Sequence, residues 1–453
     1  REFGQPLTVE EVELADPGPG EIEVTLAACA ICHSDISLAE GAWGGFLPAV
    51  YGHEAAGRVS RPGPGVTGFA EGDTVLVTFL RACGACPSCV TGHPAVCETP
   101  RDNAAGPLKT REGEPVEQGL GAGCFAEKVV VEPSQIVKLP SDIPLDAAST
   151  LACGVITGIG AVVNTAGLRP GQSCVVIGAG GVGLNAIQGA RLAGAARIVA
   201  VDMTEEKLQV AKEFGATDGV LATEAKPWKA AKAVIGRGAD AVFVTVGAIP
   251  AYDTAMRYLA PHGKLVMVGM PASGALSQYE PAIVSAIGQQ MLGSKMGDVV
   301  LHRDIPWLVD LYRQGRLKLD ELVSGRWRLD EINEAIADTN SGAARRNVIV
   351  FGDGWRAARA TGAPGAGSPL FACAGFSPRT LPSRRRAGQA LTLGDFRGGM
   401  AARRCGHGAA PRGDSVRGPG RSAWNGWSRR SSRIRAGRRS ICPGWRSGRG
   451  GRR

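Results

Sequence analysis

Four cysteines, Cys83, Cys86, Cys89 and Cys97, stand in the spacing C-x2-C-x2-C-x7-C. Four thiolates drawn onto one tetrahedral ion would tie this loop into a compact knuckle whatever surrounds it, and gaps of two residues permit that convergence. Gly84, Pro87 and Gly92 supply the turns. An iron–sulfur cluster is the competing occupant, but its bacterial run has a short last gap followed by Pro. Here the last gap is seven and Glu98 follows Cys97. The spacing therefore predicts a closed structural zinc site.

A second pattern is of the kind that binds nucleotide phosphates. Gly178, Gly180 and Gly183 form G-x-G-x-x-G within Gly178-Ala179-Gly180-Gly181-Val182-Gly183. The motif follows an apolar strand at 174–177 and opens a helix, the context that gives it meaning. The glycines permit a tight turn and close approach of a pyrophosphate to the free N–H groups of the helix. Asp202 ends the next strand. A carboxylate there accepts from ribose hydroxyls and repels a 2′-phosphate, so NAD is expected over NADP. The alternative role for Asp202 is a cap on the following helix. Lys207, one turn into that helix, is placed to reach the ribose.

The remaining pattern sets the domain order. Residues 1–150 read as short strands, among them 7–14, 21–27, 73–79 and 126–131, separated by Gly/Pro turns such as Pro17-Gly18-Pro19-Gly20. This pattern predicts a barrel-like β domain. From about Gly154 strands and helices alternate: strand 173–178, helix 182–193, strand 197–202, helix 205–214, then strands 241–246 and 264–269. Such alternation predicts a doubly wound parallel sheet. Helices 305–313 and 330–339 and a strand 347–351 follow.

Charge separates the body from the tail. Residues 353–453 hold 22 Arg, no Lys, three Asp and no Glu, a net of 22 − 3 = +19. Residues 1–352 hold the other 51 − 22 = 29 basic and 42 − 3 = 39 acidic side chains, a net of −10. The body carries no nucleic-acid signature, and the overall +9 comes from the tail. The tail has no hydrophobic period and is expected to be disordered. Arg without Lys is what out-of-frame translation of a GC-rich gene gives; a nucleic-acid-binding arm is the competing reading. No export signal and no membrane-length apolar run is found, so the expectation is a cytoplasmic protein whose cysteines bind metal. Cys29, Cys124 and Cys174 read as small buried hydrophobes, and His93, His262 and His302 as structural or surface residues.

A third set is spread through the body: Cys32 in Cys32-His33-Ser34-Asp35, His53 in Gly52-His53-Glu54, and Cys153 before Gly154. Three protein ligands leave a fourth position open for chemistry, and a catalytic beside a structural metal points to an enzyme. With the knuckle, the glycine motif and Asp202 in the same order, the chain resembles the zinc-dependent medium-chain alcohol dehydrogenases from about residue 3 to Phe351.

The resemblance implies an α/β fold: a GroES-like catalytic domain at 1–153, an NAD-binding Rossmann domain at 154–295, and a return segment of the catalytic domain at 296–352, ahead of the 353–453 tail. It implies two zinc ions per chain and NAD. Cys32, His53 and Cys153 would hold the catalytic zinc, with Glu54 as neighbour or alternate ligand. Asp35 would fix the His53 tautomer, and Ser34 would take the proton from the alcohol. His33 and Arg346 match pyrophosphate contacts. Thr157 matches a residue packing on the nicotinamide, and Val268, with Gly181 and Val182 of the motif, also falls to the cofactor. Trp43, Phe79, Phe125 and Met270 would line an apolar pocket for primary alcohols and aldehydes.

Two departures from the family stand out. Ser37 replaces the His that many relatives use as an outer proton relay. A further N-terminal strand is expected before residue 1. The long loop at 98–124 goes with dimers in the family, so a homodimer is expected, with no membrane partner. Arg101 matches a position used by glutathione-dependent formaldehyde dehydrogenases, which makes a thiol-dependent formaldehyde dehydrogenase the alternative enzyme reading. A non-catalytic nucleotide-binding relative is the alternative of another class.

Overall fold

The computed structural model describes residues 1–100 and 106–352. Arg101 and the whole 353–453 tail, on which two of the expectations above fall, lie outside the described residues.

Strands Ile22–Ala30, Glu54–Pro62 and Thr74–Thr78 pair antiparallel, and Ile136–Lys138 closes on Thr74–Thr78. Their inward positions are Ile, Val, Leu and Ala, branched or small residues that suit a crowded pleated surface. Lys128–Val131 adds to one end of Ile22–Ala30, while Arg346–Val350 returns from the far end of the chain to pair with its other end. A small sheet of Glu13–Leu14, Leu108–Lys109, Pro115–Gln118 and Ala49–Val50 lies beside it. The runs expected at 21–27, 73–79 and 126–131 overlap strands Ile22–Ala30, Thr74–Thr78 and Lys128–Val131, but the run at 7–14 differs. The alternating run at 7–14 forms a strand only at Glu13–Leu14. Leu7 instead places its amide on Asn333 Oδ1 at 2.8 Å and its carbonyl on Asn333 Nδ2 at 2.8 Å. One side-chain amide thus replaces the ladder that alternation alone would require.

The second sheet has six parallel strands in the order Asp218–Leu221, Arg197–Asp202, Ser173–Ile177, Ala239–Val244, Leu259–Met267, Gln290–Gly293. By sequence that order is 3-2-1-4-5-6, with the strand order reversing between Ser173–Ile177 and Ala239–Val244, where ligands bind in open α/β sheets. The central strand Ser173–Ile177 is buried throughout, as a parallel strand covered on both faces must be. Helix Gly181–Leu192 follows it. Among the described residues no single helix is long and apolar enough to cross a membrane.

Helix Gly154–Gly160 joins the two halves. It packs backbone to backbone on Gly181–Leu192: a Cβ on Gly158 would collide with Val182 O, and one on Gly189 would press on Ile159 Cα. Cys153 caps this helix, so the cysteine at its head is held beside the nucleotide-binding turn by packing that only glycine permits.

Candidate active site and metal centres

Cys32, His53, Glu54 and Cys153 bring one ligand atom each to within 4.8 Å of all the others, and all four are buried. Cys32 caps helix His33–Ala39, His53 precedes and Glu54 opens the strand Glu54–Pro62, and Cys153 stands at the head of Gly154–Gly160. Sequence positions far apart meet because the barrel strands and the joining helix converge here.

Asp35 organises this cluster. Its Oδ1 accepts from Gly52 N at 2.9 Å and lies 2.9 Å from His53 Nδ1, while Oδ2 takes the Cys32 amide at 3.3 Å. The ring of His53 also stands edge-on to Phe79, centroids 5.2 Å apart. His53 Nε2 is buried and has no hydrogen-bond partner. A buried imidazole nitrogen left bare while its opposite nitrogen is tied to a carboxylate fits a metal-binding role. Two thiols and a carboxylate around it complete a donor set suited to zinc.

The electrostatics follow from crowding. Burial disfavours a charged His53 ring, but Asp35 and the Cys32 sulfur together hold its pKa well above the ordinary value. Cys32 is drawn down, first by its hydrogen bond from Cys153 and then by His53 and Arg346, whereas Cys153 is pushed up by that same bond and by burial. Burial lifts the Glu54 carboxyl to about 8 against the pull of Arg346. Arg346 Nη2 lies 3.1 Å from Glu54 Oε1 as an ion pair, off hydrogen-bond geometry.

The knuckle brings the sulfurs of Cys83, Cys86, Cys89 and Cys97 to within 4.8 Å of one another. Cys86 and Cys97 Sγ are 3.9 Å apart, close to the roughly 3.8 Å edge of a tetrahedron with 2.3 Å Zn–S bonds. Four thiolates on the separate irons of a cluster would stand further apart, so a single ion fits. Amides of Ala85 and Cys86 point at Cys83 Sγ, the Cys83 amide at Cys97 Sγ and the Glu98 amide at Cys86 Sγ, at 3.2–3.4 Å. N–H groups aimed at sulfur favour the thiolate form. Cys83 is lowered to about 6, first by the Thr99 hydroxyl and then by the amides of Ala85 and Cys86, while burial pushes Cys89 up to about 12.

At the nucleotide turn, Gly178 has φ +97°, and a Cβ there would strike the Val246 side chain; one on Gly183 would collide with Gly178 O. Around Gly180 nothing lies within 4 Å of where a Cβ would sit, which leaves the backbone open to a ligand. Asp202 Oδ2 accepts from Ala179 N at 2.6 Å and Oδ1 from Met203 N at 2.7 Å, which holds its carboxylate at the turn. The cap of helix Glu205–Phe214 is Thr204, not Asp202. Val268 sits past the end of Leu259–Met267, its amide on Val244 O at 3.0 Å, on the ligand side of the sheet.

Positive groups gather near this turn. Arg346 sends Nη1 to Ile31 O at 3.0 Å, and its guanidinium passes beside Gly181. The Lys207 ammonium lies over Gly342. His33 is kept below its ordinary pKa by desolvation and then by Arg346 and Lys207. Ser34 is half-buried in the first turn of helix His33–Ala39, next to Cys32.

Several site residues had no sequence signal. Met296 Sδ lies 3.5 Å from Cys153 Sγ and 3.3 Å from Thr157 Oγ1. Thr245 Oγ1 donates to the carbonyls of Ile177 at 3.0 Å and Gly178 at 2.8 Å, holding the strand end that carries the glycine turn. Of the expected pocket aromatics, Phe79 stands at the cluster, but Phe125 is 4% exposed within the barrel core. Trp43 donates its indole N–H to Pro271 O at 3.0 Å, after the strand Leu259–Met267.

Comparison with known proteins agrees with this geometry. Residues 18–141 match the alcohol dehydrogenase GroES-like domain and residues 181–314 the zinc-binding dehydrogenase family. The chain is 35% identical to alcohol dehydrogenase B of Mycobacterium tuberculosis over 365 residues, which cover 78% of this chain and 97% of that protein. An alcohol dehydrogenase zinc-binding domain protein from Burkholderia ambifaria superposes with a TM-score of 0.75 at 33% identity, over 78% of this chain and 97% of that one. Benzyl alcohol dehydrogenase from Acinetobacter calcoaceticus superposes with a TM-score of 0.71 at 30% identity, over 77% and 100% of the two chains. The chain belongs to the zinc-dependent medium-chain alcohol dehydrogenases and is an oxidoreductase acting on alcohols and aldehydes.

Proposed function

We propose that this protein oxidises primary aliphatic and aromatic alcohols to aldehydes, and reduces them back, with NAD and two zinc ions per chain. The observation that carries the catalytic half is the unpartnered Nε2 of His53 among Cys32, Cys153 and Glu54. When bound, zinc supplies a Lewis acid for the substrate oxygen and the nicotinamide supplies a hydride acceptor.

Cys32, His53 and Cys153 hold the catalytic ion. Asp35 keeps His53 in the tautomer that bares Nε2. Glu54, raised by burial and balanced by Arg346, stands by as an alternate donor. Ser34 takes the alcohol proton at Oγ. The open backbone at Gly180 and the helix N-terminus after it receive the pyrophosphate, helped by the positive charge of Arg346 and the nearby His33. Asp202 takes the ribose hydroxyls with Lys207 beside it, which favours NAD. Thr157 and Val268 border the nicotinamide. Cys83, Cys86, Cys89 and Cys97 hold the second, structural ion.

The division into 1–153, 154–295 and 296–352 is supported by the return of Arg346–Val350 to the first sheet. A homodimer is supported by the edge strand Gln290–Gly293 and the exposed Leu276, Tyr279, Ile283 and Met291 near it in sequence. Likeness to a benzyl alcohol dehydrogenase supports an aromatic substrate, and a cytoplasmic location accords with such a redox role.

The test is a steady-state assay of benzyl and short aliphatic alcohols with NAD and NADP, run beside elemental analysis. Alcohol oxidation lost on chelation and restored by zinc is the expected result. Turnover that survives complete removal of zinc overturns the proposal.

A further inference from the structure

We propose that Met296 is a positioning residue for Cys153 and Thr157, and that His93 of the four-cysteine knuckle sets its position through Asp298. The proposal rests on the dehydrogenase reading only for the roles of Cys153 and Thr157.

Met296, Gly297 and Asp298 form a left-handed turn, with φ of 51°, 67° and 50°. For a methionine that region is disfavoured, and such residues persist only where their surroundings over-determine them. Here the surroundings do so from three sides. Met296, 6% exposed, puts its thioether against Cys153 and takes the Thr157 hydroxyl. Gly297 lies backbone to backbone on helix Gly154–Gly160, where a Cβ on Gly160 would collide with Gly297 O. The Gly297 carbonyl also takes Asn164 Nδ2 at 3.1 Å, from a π-helical turn that continues that helix. Asp298 reaches the other way. Its carboxylate meets His93 Nδ1 at 2.9 and 3.1 Å.

His93 sits inside the knuckle, between Cys89 and Cys97, with its amide on Ser88 O at 2.9 Å. The closed thiolate loop and the cluster at Cys153 are thus joined by His93, Asp298, Gly297 and Met296 in contact or in sequence. The His93–Asp298 pair is partly exposed, 53% and 32% by side chain, and pairs of that kind add little to stability. Its consequence is therefore geometric: it fixes the far end of a turn whose near end presses on a metal ligand.

Methionine methyl carbon-13 labelling reads the position of Met296 directly, with Met296→Leu identifying its resonance. His93→Ala removes the contact. His93→Asn restores a donor near the place of Nδ1. In His93→Ala the Met296 methyl resonance should shift, and kcat for alcohol should fall about fivefold or more, as displaced positioning groups cost, with KM within twofold. His93→Asn should restore both. A Met296 resonance unmoved in His93→Ala overturns the proposal, as does a shift that leaves the kcat of an active wild type unchanged. An inactive wild type sinks the dehydrogenase reading alone, because the methyl resonance still reports whether His93 sets Met296: movement supports the link and its absence overturns it.

Discussion

Asp35 Oδ1 lies 2.9 Å from Nδ1 of His53, both side chains buried, and the same oxygen also receives the Gly52 amide. One carboxylate thereby fixes the ring of His53 and the backbone that carries it. Asp35→Asn keeps the shape and loses the charge that makes His53 a strong donor. Partners of ligating histidines cost about 10- to 100-fold in metal affinity when changed. Chelator competition on the variant should show that loss at the Cys32–His53–Cys153 site, while the knuckle ion serves as an internal control. Equal retention in variant and parent would mean that Asp35 only shapes the loop.

The knuckle makes a prediction about thiol order. Cys83 is lowered to about 6 by the Thr99 hydroxyl and by amides, and Cys89 is raised to about 12 by burial. The thiolate is the reactive form, so susceptibility follows its population. In metal-stripped protein at pH 7, iodoacetamide should modify Cys83 first and Cys89 last. As pH falls through about 6, Cys83 gains its proton and its lead should vanish. Peptide mass mapping over time reads the order, and Cys89 reacting first would contradict it. In the loaded protein, Cys89→Ser should release one zinc and loosen the lobe, as elemental analysis and proteolysis would show.

Asp202 is held by the amides of Ala179 and Met203 at the end of its strand, so its charge is fixed at the mouth of the glycine turn. It should favour NAD over NADP by about tenfold or more in kcat/KM, equal to about 1.4 kcal/mol. Asp202→Ala should erase most of that preference by improving NADP. A parent enzyme that uses both cofactors equally would remove Asp202 from the ribose.

Much of this was legible because it is local. The knuckle, the glycine turn and the pair Cys32 and Asp35 each act across a few residues, and spacing encodes them. The central strand, expected at 173–178 and found at Ser173–Ile177, announced itself by the apolar run from Cys174 to Ile177. Strand Asp218–Leu221 did not, since Asp-Gly-Val-Leu offers no period and is fixed by pairing with Arg197–Asp202. Met296 and Cys153 are 143 positions apart, and His93 and Asp298 are 205 apart. Their contacts arise from how the joining helix packs on the turn before Leu301–Arg313, which no local pattern contains. His93 in particular read only as a structural or surface residue, because its partner becomes a neighbour only once both halves have folded.

The proton path gives the last prediction. Ser34 stands beside Cys32 in the first turn of helix His33–Ala39, with Ser37 one turn further on. A hydroxyl accepts a proton only as it passes its own onward, so Ser34 needs an outlet, and Ser37 provides no imidazole for it. The outlet this chain offers would then be solvent or the exposed His33. Ser34→Ala should lower kcat by about 10²-fold or more, the range of a lost acid–base group. Ser37→His should leave turnover equal or raise it near pH 7, where imidazole accepts a proton readily. His33→Gln separates the two outlets. If His33 serves the pyrophosphate, the variant should bind NADH more weakly in a nicotinamide fluorescence titration, with the solvent isotope effect on kcat unchanged. Unchanged NADH binding with a larger solvent isotope effect would move the relay onto His33 and leave the phosphates to Arg346 and the amides of the glycine turn.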